Sequence, residues 1–207
     1  MLNLKLPEQR RKIYLEIALR RCRPGSGSSR EFLKKRTWNH PVSNIKAIIQ
    51  KNLFVVVGGI ATRLYMPERM TDDIDILVLT EDAPNLYGEL EQAGSRRVGE
   101  LSIGRCTWEL PDGTYLDVIE SSDAWVTEAI RNCNIAPDGL PIIGLPYLVL
   151  MKIQASRGIE MGDLTRMLGG CDESALQLVR RTVQVFLPDA VEDLESLIIL
   201  GKLEMGE

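Results

Sequence analysis

Histidine is almost missing from this chain: His40 is the only one in 207 residues. A Ser-His-Asp or Cys-His mechanism, or a multi-histidine metal site, would have to rest on that single ring beside Pro41. The four cysteines, Cys22, Cys106, Cys133 and Cys171, are widely spaced and form no C-x-x-C pair. That argues against a zinc site or a disulfide framework and makes reduced thiols in a cytoplasm the expectation. Long apolar runs are missing too. The longest, Leu140 to Met151, is interrupted by Pro141 and Pro146, too short and too broken to span a bilayer. Met1 to Arg21 scatters charges throughout, unlike a signal peptide. Aromatic residues are 5% of the chain, and Trp38, Trp108 and Trp125 read as packing residues. Chemistry in such a chain has to run on carboxylates.

What is present is apolar content and divided charge. Apolar residues make up 44%, ample for a hydrophobic core in one medium domain with an appendage. The net charge of -4 conceals a split: residues 1–51 hold 13 Lys/Arg against 3 Asp/Glu, and residues 52–207 hold 12 against 26. A basic head on an acidic body suits an anionic partner, nucleic acid being the usual one, and equally suits a solvated helical face.

Periodicity organises the rest. Pro7 to Cys22 predicts a helix with a basic face, and Arg23 to Ser29 a flexible connector rich in Gly and Ser. Ser43 is expected to cap a short helix through Ile49. Leu53 to Val57 predicts a buried strand closed by Gly58-Gly59, followed by a short helix to Met66. Ile74 to Leu79 predicts a second strand and Ala83 to Ala93 a helix. Arg105 to Leu110 and Thr114 to Glu120 predict a hairpin around Pro111-Asp112-Gly113. Ala124 to Cys133 predicts a helix and Leu140 to Ile143 an edge strand. From Pro146 onward the pattern is helical, with Asp172 capping Glu173 to Phe186 and Pro188 opening the last helix. The fold class this implies is α+β, a small mixed sheet flanked by helices with helical extensions at both ends. The expected division is a basic N-terminal extension (1–42), a core (43–168) and a C-terminal helical segment (169–207).

Three features carry chemistry. Gly58-Gly59, between a strand and a helix, would let backbone approach a phosphate, although a plain tight turn reads the same way. In Thr71-Asp-Asp-Ile-Asp-Ile76, strand alternation puts Asp73 and Asp75 on one face and Ile74 and Ile76 on the other. Two carboxylates side by side repel unless a cation offsets them, and oxygen-only donors suit Mg²⁺ or Mn²⁺. An acidic strand start facing solvent is the plain alternative. Asp117, flanked by Leu116 and Val118 in a β-prone run, is out of place by propensity unless it joins the other two.

Gly58-Gly59-Ile-Ala61 followed by Arg69-Met-Thr71-Asp-Asp73-Ile-Asp75 resembles the opening motif of the DNA polymerase beta-like nucleotidyltransferase superfamily. The resemblance is to its minimal and abortive-infection toxin types. Lys152-Ile-Gln-Ala155-Ser-Arg157-Gly-Ile-Glu160-Met-Gly-Asp163-Leu164 is similar to a later segment of that family, with Glu160 where an aspartate is usual. The resemblance covers roughly Leu53 to Leu168. It implies a nucleotidyltransferase fold and transfer of a nucleoside monophosphate from a nucleoside triphosphate to a hydroxyl acceptor, with release of pyrophosphate. It also implies two Mg²⁺ or Mn²⁺ ions on Asp73, Asp75 and Asp117, with triphosphate held by Gly58, Gly59, Arg69, Thr71 and Lys152. Arg69 would pair with phosphate or with Asp72. Arg157 and Asp163 would form a supporting ion pair. The acceptors implied include transfer RNA ends or other RNA, protein hydroxyls and small hydroxylated antibiotics, and the basic head favours RNA over a cationic aminoglycoside. The basic head would recruit RNA or dock an acidic antitoxin, and no membrane is involved. A non-catalytic nucleotide- or partner-binding member of the same fold is the alternative.

Overall fold

The computed structural model describes residues 6–40, 42–71, 73–102 and 105–207. In chain order the helices are α1 (Pro7–Arg21), α2 (Arg30–Leu33), α3 (Ile45–Ile48), α4 (Gly58–Ala61), α5 (Ala83–Gln92), α6 (Val126–Arg131), α7 (Leu145–Ala155), α8 (Gly158–Gly169), α9 (Glu173–Phe186) and α10 (Val191–Met205). The strands are β1 (Val55–Val56), β2 (Asp73–Leu79), β3 (Arg96–Ser102), β4 (Arg105–Glu109), β5 (Tyr115–Ser121), β6 (Asn134–Ile135) and β7 (Pro141–Ile142). Short 3-10 turns at Thr62–Leu64 and Pro188–Ala190 complete the set. Among the described residues no helix is long and apolar enough to cross a membrane.

The chain forms two compact units. One holds the chain up to Arg36, Leu64–Pro67 and Leu145–Glu207; the other holds Thr37–Arg63 and Glu68–Gly144. α7 packs against α9 and α8 against α10, binding both into the helical unit.

The second unit is built on one mixed seven-stranded sheet in the order β3-β4-β5-β2-β1-β7-β6. β2 and β5 run parallel, and β4 and β5 are antiparallel, as the Pro-Asp-Gly turn requires. Alternation gives the sheet two characters. Ile74, Ile76, Val78, Leu116, Val118, Cys106 and Trp108 are buried on one face, where Tyr87 of α5 stacks on Trp108 with ring centroids 5.4 Å apart. The opposite face carries Asp73, Asp75, Thr107 and Asp117 toward one end of the strands and the apolar Leu77 and Ile119 further along.

Three expectations are corrected. Leu140 to Ile143 is not an edge: β7 lies between β1 and β6, and β6 is the edge strand. β3, unforeseen, pairs with β4 through two register irregularities, since its Arg-Arg-Val-Gly-Glu run has no clean alternation. Ser43 does not cap α3; its hydroxyl lies 2.7 Å from Asp112 Oδ2 and 2.6 Å from Thr114 Oγ1. Asp172, by contrast, caps α9 as expected, accepting the Ala175 amide at 2.9 Å.

Glu89 on α5 fixes the approach to β1. Its carboxylate accepts the backbone amides of Gln50 (2.6 Å), Lys51 (3.0 Å) and Asn52 (3.1 Å), and also the Asn52 side-chain amide. Burial pushes the carboxyl up, and these donors more than reverse it, holding Glu89 below its ordinary value.

The helical unit is tied together by buried charge. Arg11 of α1 donates to Asp193 of α10 at 2.8 Å, to the Ile153 carbonyl at 3.2 Å and to Ser156 Oγ at 3.1 Å. α8 and α10 cross where side chains are missing. A Cβ on Gly169 would lie 2.7 Å from the Gly201 carbonyl oxygen, and one on Gly201 would lie 2.8 Å from the Gly169 nitrogen. All four cysteines are free, and burial pushes the Cys171 thiol up to about 11.

Two measurements check these anchors. Arg11→Met strands Asp193 in the interior and is expected to lower unfolding free energy by about 3–5 kcal/mol, with Arg11→Met/Asp193→Leu recovering most of it in denaturant titrations. Glu89 has its pKa lowered by folding, so its stabilisation is complete above the unfolded value of 4.5 and is lost as pH falls through the folded value. Glu89→Gln should therefore lower the melting temperature at neutral pH and flatten its fall below pH 4.5.

Candidate active site

The register of the sheet assembles the site. β2 and β5 align Asp75 with Asp117 and Asp73 with Tyr115. Asp75 and Asp117 are thus direct neighbours on one face, while Asp73 sits two residues along at the exposed strand start. Among the described residues no three His, Cys, Asp or Glu side chains are gathered closely enough to form a metal-binding group. Two residues of strand separate Asp73 from Asp75, a rise of about 6.8 Å.

The backbone around Asp75 explains the double glycine. Gly58 has φ +62, a conformation that favours glycine, and a Cβ built there would overlap Asp75 Oδ2 and lie 2.7 Å from Asp75 Cγ. The carboxylate therefore rests on bare backbone. A Cβ on Gly59 would lie 2.9 Å from Thr71 Oγ1 and 3.2 Å from Arg69 Nη2, so Arg69 and Thr71 sit against the same turn. Asp72 lies outside the described residues. A small polar cleft nearby is lined by Ser43, Ile60, Arg63, Thr71, Asp73 and Thr114, among others.

Two residues that the sequence reading did not name complete the face, both on β4. Thr107 is paired in register with Asp117 and donates its hydroxyl to Oδ1 at 2.6 Å. Arg105 places Nη2 3.3 Å from Asp75 Oδ1. The signal for Thr107 was available: counting outward from the Pro-Asp-Gly turn pairs Glu109 with Tyr115, Trp108 with Leu116 and Thr107 with Asp117.

The remaining candidates lie in the helical unit. Lys152 on α7 is buried, with Nζ 2.8 Å from Asp163 Oδ2 of α8; the two side chains are 4% and 1% exposed. Its charge is neutralised there, fastening one helix to the next. Arg157 reaches Glu160 at 2.5 Å. The tryptophans pack: Trp108 and Trp125 are buried, and Trp38 donates to Asp138 at 2.6 Å with the Arg63 guanidinium 5.5 Å from its ring centroid. His40 is structural, with its amide and Nδ1 both directed to Glu68.

The donors on the sheet face fit a divalent cation. Asp75 and Asp117 offer adjacent carboxylate oxygens, and the bare backbone at Gly58 leaves Asp75 its position, a donor chemistry that suits Mg²⁺ or Mn²⁺.

No family model matches the sequence, and no curated protein matches it either. Among solved structures, ANT(2'')-Ia in complex with adenylyl-2''-tobramycin is similar at 19% identity and a TM-score of 0.41, over 72% of this chain and 88% of that one. The Thermotoga maritima CCA-adding enzyme complexed with tRNA is similar at 14% identity and 0.37, over 88% and 53%. A cytoplasmic RNA terminal U-transferase is similar at 15% and 0.29, over 79% and 43%. With scores this low, function has to be read from the chain's own residues.

Gly58→Ala tests the cradle. The left-handed backbone costs an alanine roughly 1–2 kcal/mol, and its methyl displaces the Asp75 carboxylate. The expected result is a modest drop in melting temperature with loss of divalent-ion binding in calorimetry.

Proposed function

We propose that this chain is a metal-dependent nucleotidyltransferase, moving a nucleoside monophosphate from a nucleoside triphosphate to a hydroxyl acceptor with release of pyrophosphate. The observation that carries the reading is the in-register pair Asp75 and Asp117, with the side-chain-free backbone of Gly58 against Asp75. Asp75 and Asp117, with Asp73 at the strand start, would hold Mg²⁺ or Mn²⁺. The bound ion would supply charge neutralisation for both the attacking and the leaving oxygen. Gly58 and Gly59 would let the backbone lie close to a triphosphate, and Arg69 and Thr71, which pack at Gly59, would bind its oxygens. Asp117, its Oδ1 held by Thr107, keeps Oδ2 for the acceptor's hydroxyl proton. Chemistry of this kind asks for positioning and charge, which suits a chain whose one histidine is spent on Glu68.

RNA is the acceptor favoured by the exposed basic residues Arg20, Arg21, Arg23, Lys34, Lys35 and Arg36, since clustered charge of this kind rewards a phosphate backbone. A cytoplasmic toxin role, with the same face docking an acidic antitoxin, fits the same residues. Incubation with labelled triphosphates, Mg²⁺ and RNA or protein acceptors tests the activity. Asp75→Asn should lower labelling by at least about a hundredfold; equal labelling would overturn the proposal. Triphosphate binding by calorimetry without transfer to any acceptor would point instead to a non-catalytic nucleotide-binding protein.

A further inference from the structure

Arg105 has more donors than it uses. Among the described residues its one hydrogen bond is the 3.3 Å contact from Nη2 to Asp75 Oδ1, longer than the 2.7–2.9 Å usual for charge-assisted pairs. Its Nε is buried with no hydrogen-bond partner, while 32% of the side chain stays exposed. A guanidinium built to lock a carboxylate in place meets it with two parallel bonds. Among the described residues this one makes a single long bond, and its buried Nε has no hydrogen-bond partner. Its neighbour two positions along, Thr107, holds the other carboxylate at 2.6 Å, so β4 meets Asp117 at a shorter distance than it meets Asp75. Arginine keeps its charge throughout the working pH range, so this long contact is exchanged only for another cation or another anion.

We propose that Arg105 is the internal counter-cation of the Asp75–Asp117 pair. It offsets their repulsion in the ligand-free chain, competes with a divalent ion for Asp75, and once displaced presents its fork to an oxygen of the triphosphate. The inference rests on the reading above that these carboxylates bind a divalent ion. It differs from it in giving Arg105 two successive partners, and in making the affinity for metal depend on a residue that is not a ligand.

Mn²⁺ binding, followed by the electron paramagnetic resonance signal of the free ion, separates the two. Arg105→Gln is expected to tighten Mn²⁺ binding in the absence of nucleotide by roughly two- to fivefold, the scale of a partly exposed charge pair. At saturating Mn²⁺ the same variant should bind a non-hydrolysable triphosphate severalfold more weakly. Arg105→Lys, which keeps the charge, should return Mn²⁺ affinity toward that of the parent chain, showing that the change is electrostatic and not a loss of folding. Unchanged or weakened Mn²⁺ binding in Arg105→Gln, with binding still abolished by Asp75→Asn, overturns the role of Arg105 and leaves the nucleotidyltransferase reading intact. A parent chain that binds no Mn²⁺ overturns both.

Discussion

The parallel register of β2 and β5 sets Asp75 beside Asp117, and that juxtaposition governs the chemistry of the sheet's polar face. Parallel neighbours stand about 4.8 Å apart. Two full charges at that spacing repel by roughly 3 kcal/mol at an effective dielectric of 20. A sheet tolerates this only where something offsets it, and each neighbour can be understood as part of the offset. Thr107 gives Asp117 a hydroxyl, Arg105 gives Asp75 a positive charge, and Gly58 removes the atom that would push Asp75 aside. Removing the acidic pair would leave none of the three with a reason to be where it is.

The framework behind the pair is held by ordinary means. Apolar alternation seats one sheet face beneath α5 through Trp108 and Tyr87. The same helix sends Glu89 to gather three amides of the segment leading to β1, and β1 delivers Gly58. One helix thus anchors both the covered sheet face and the start of the glycine turn, with apolar area in the first task and a single anion in the second.

Much of this was legible in the sequence. The strand carrying Asp73 and Asp75, the hairpin carrying Asp117 and the demand for bare backbone at Gly58 follow from alternation, turn chemistry and motif. What was not legible depended on pairing between distant segments. Alternation put Asp73 and Asp75 on one face, but only the register shows that Asp75, opposite Asp117, and not Asp73, opposite Tyr115, is the direct cross-strand neighbour. The partner of Lys152 is Asp163, eleven residues on, and an apolar helix with one lysine reads the same whether that lysine is solvated or buried in an ion pair. β3 escaped because its irregular pairing erases the period-two signal, and the two-residue strand β6 is too short to carry one.

The first helix was counted as a basic appendage, and the fold gives it a second office. Arg11 is spent in the interior on Asp193, and Arg10 donates to the Ala155 carbonyl, while Arg20 and Arg21 remain at the surface. Surface charge and cohesion therefore share fifteen residues. Descendants of this chain are free to retune the outward charges one at a time, but none can shed the helix itself without unmaking the bundle it closes. A partner that binds this face would accordingly be reading a part of the protein's own framework.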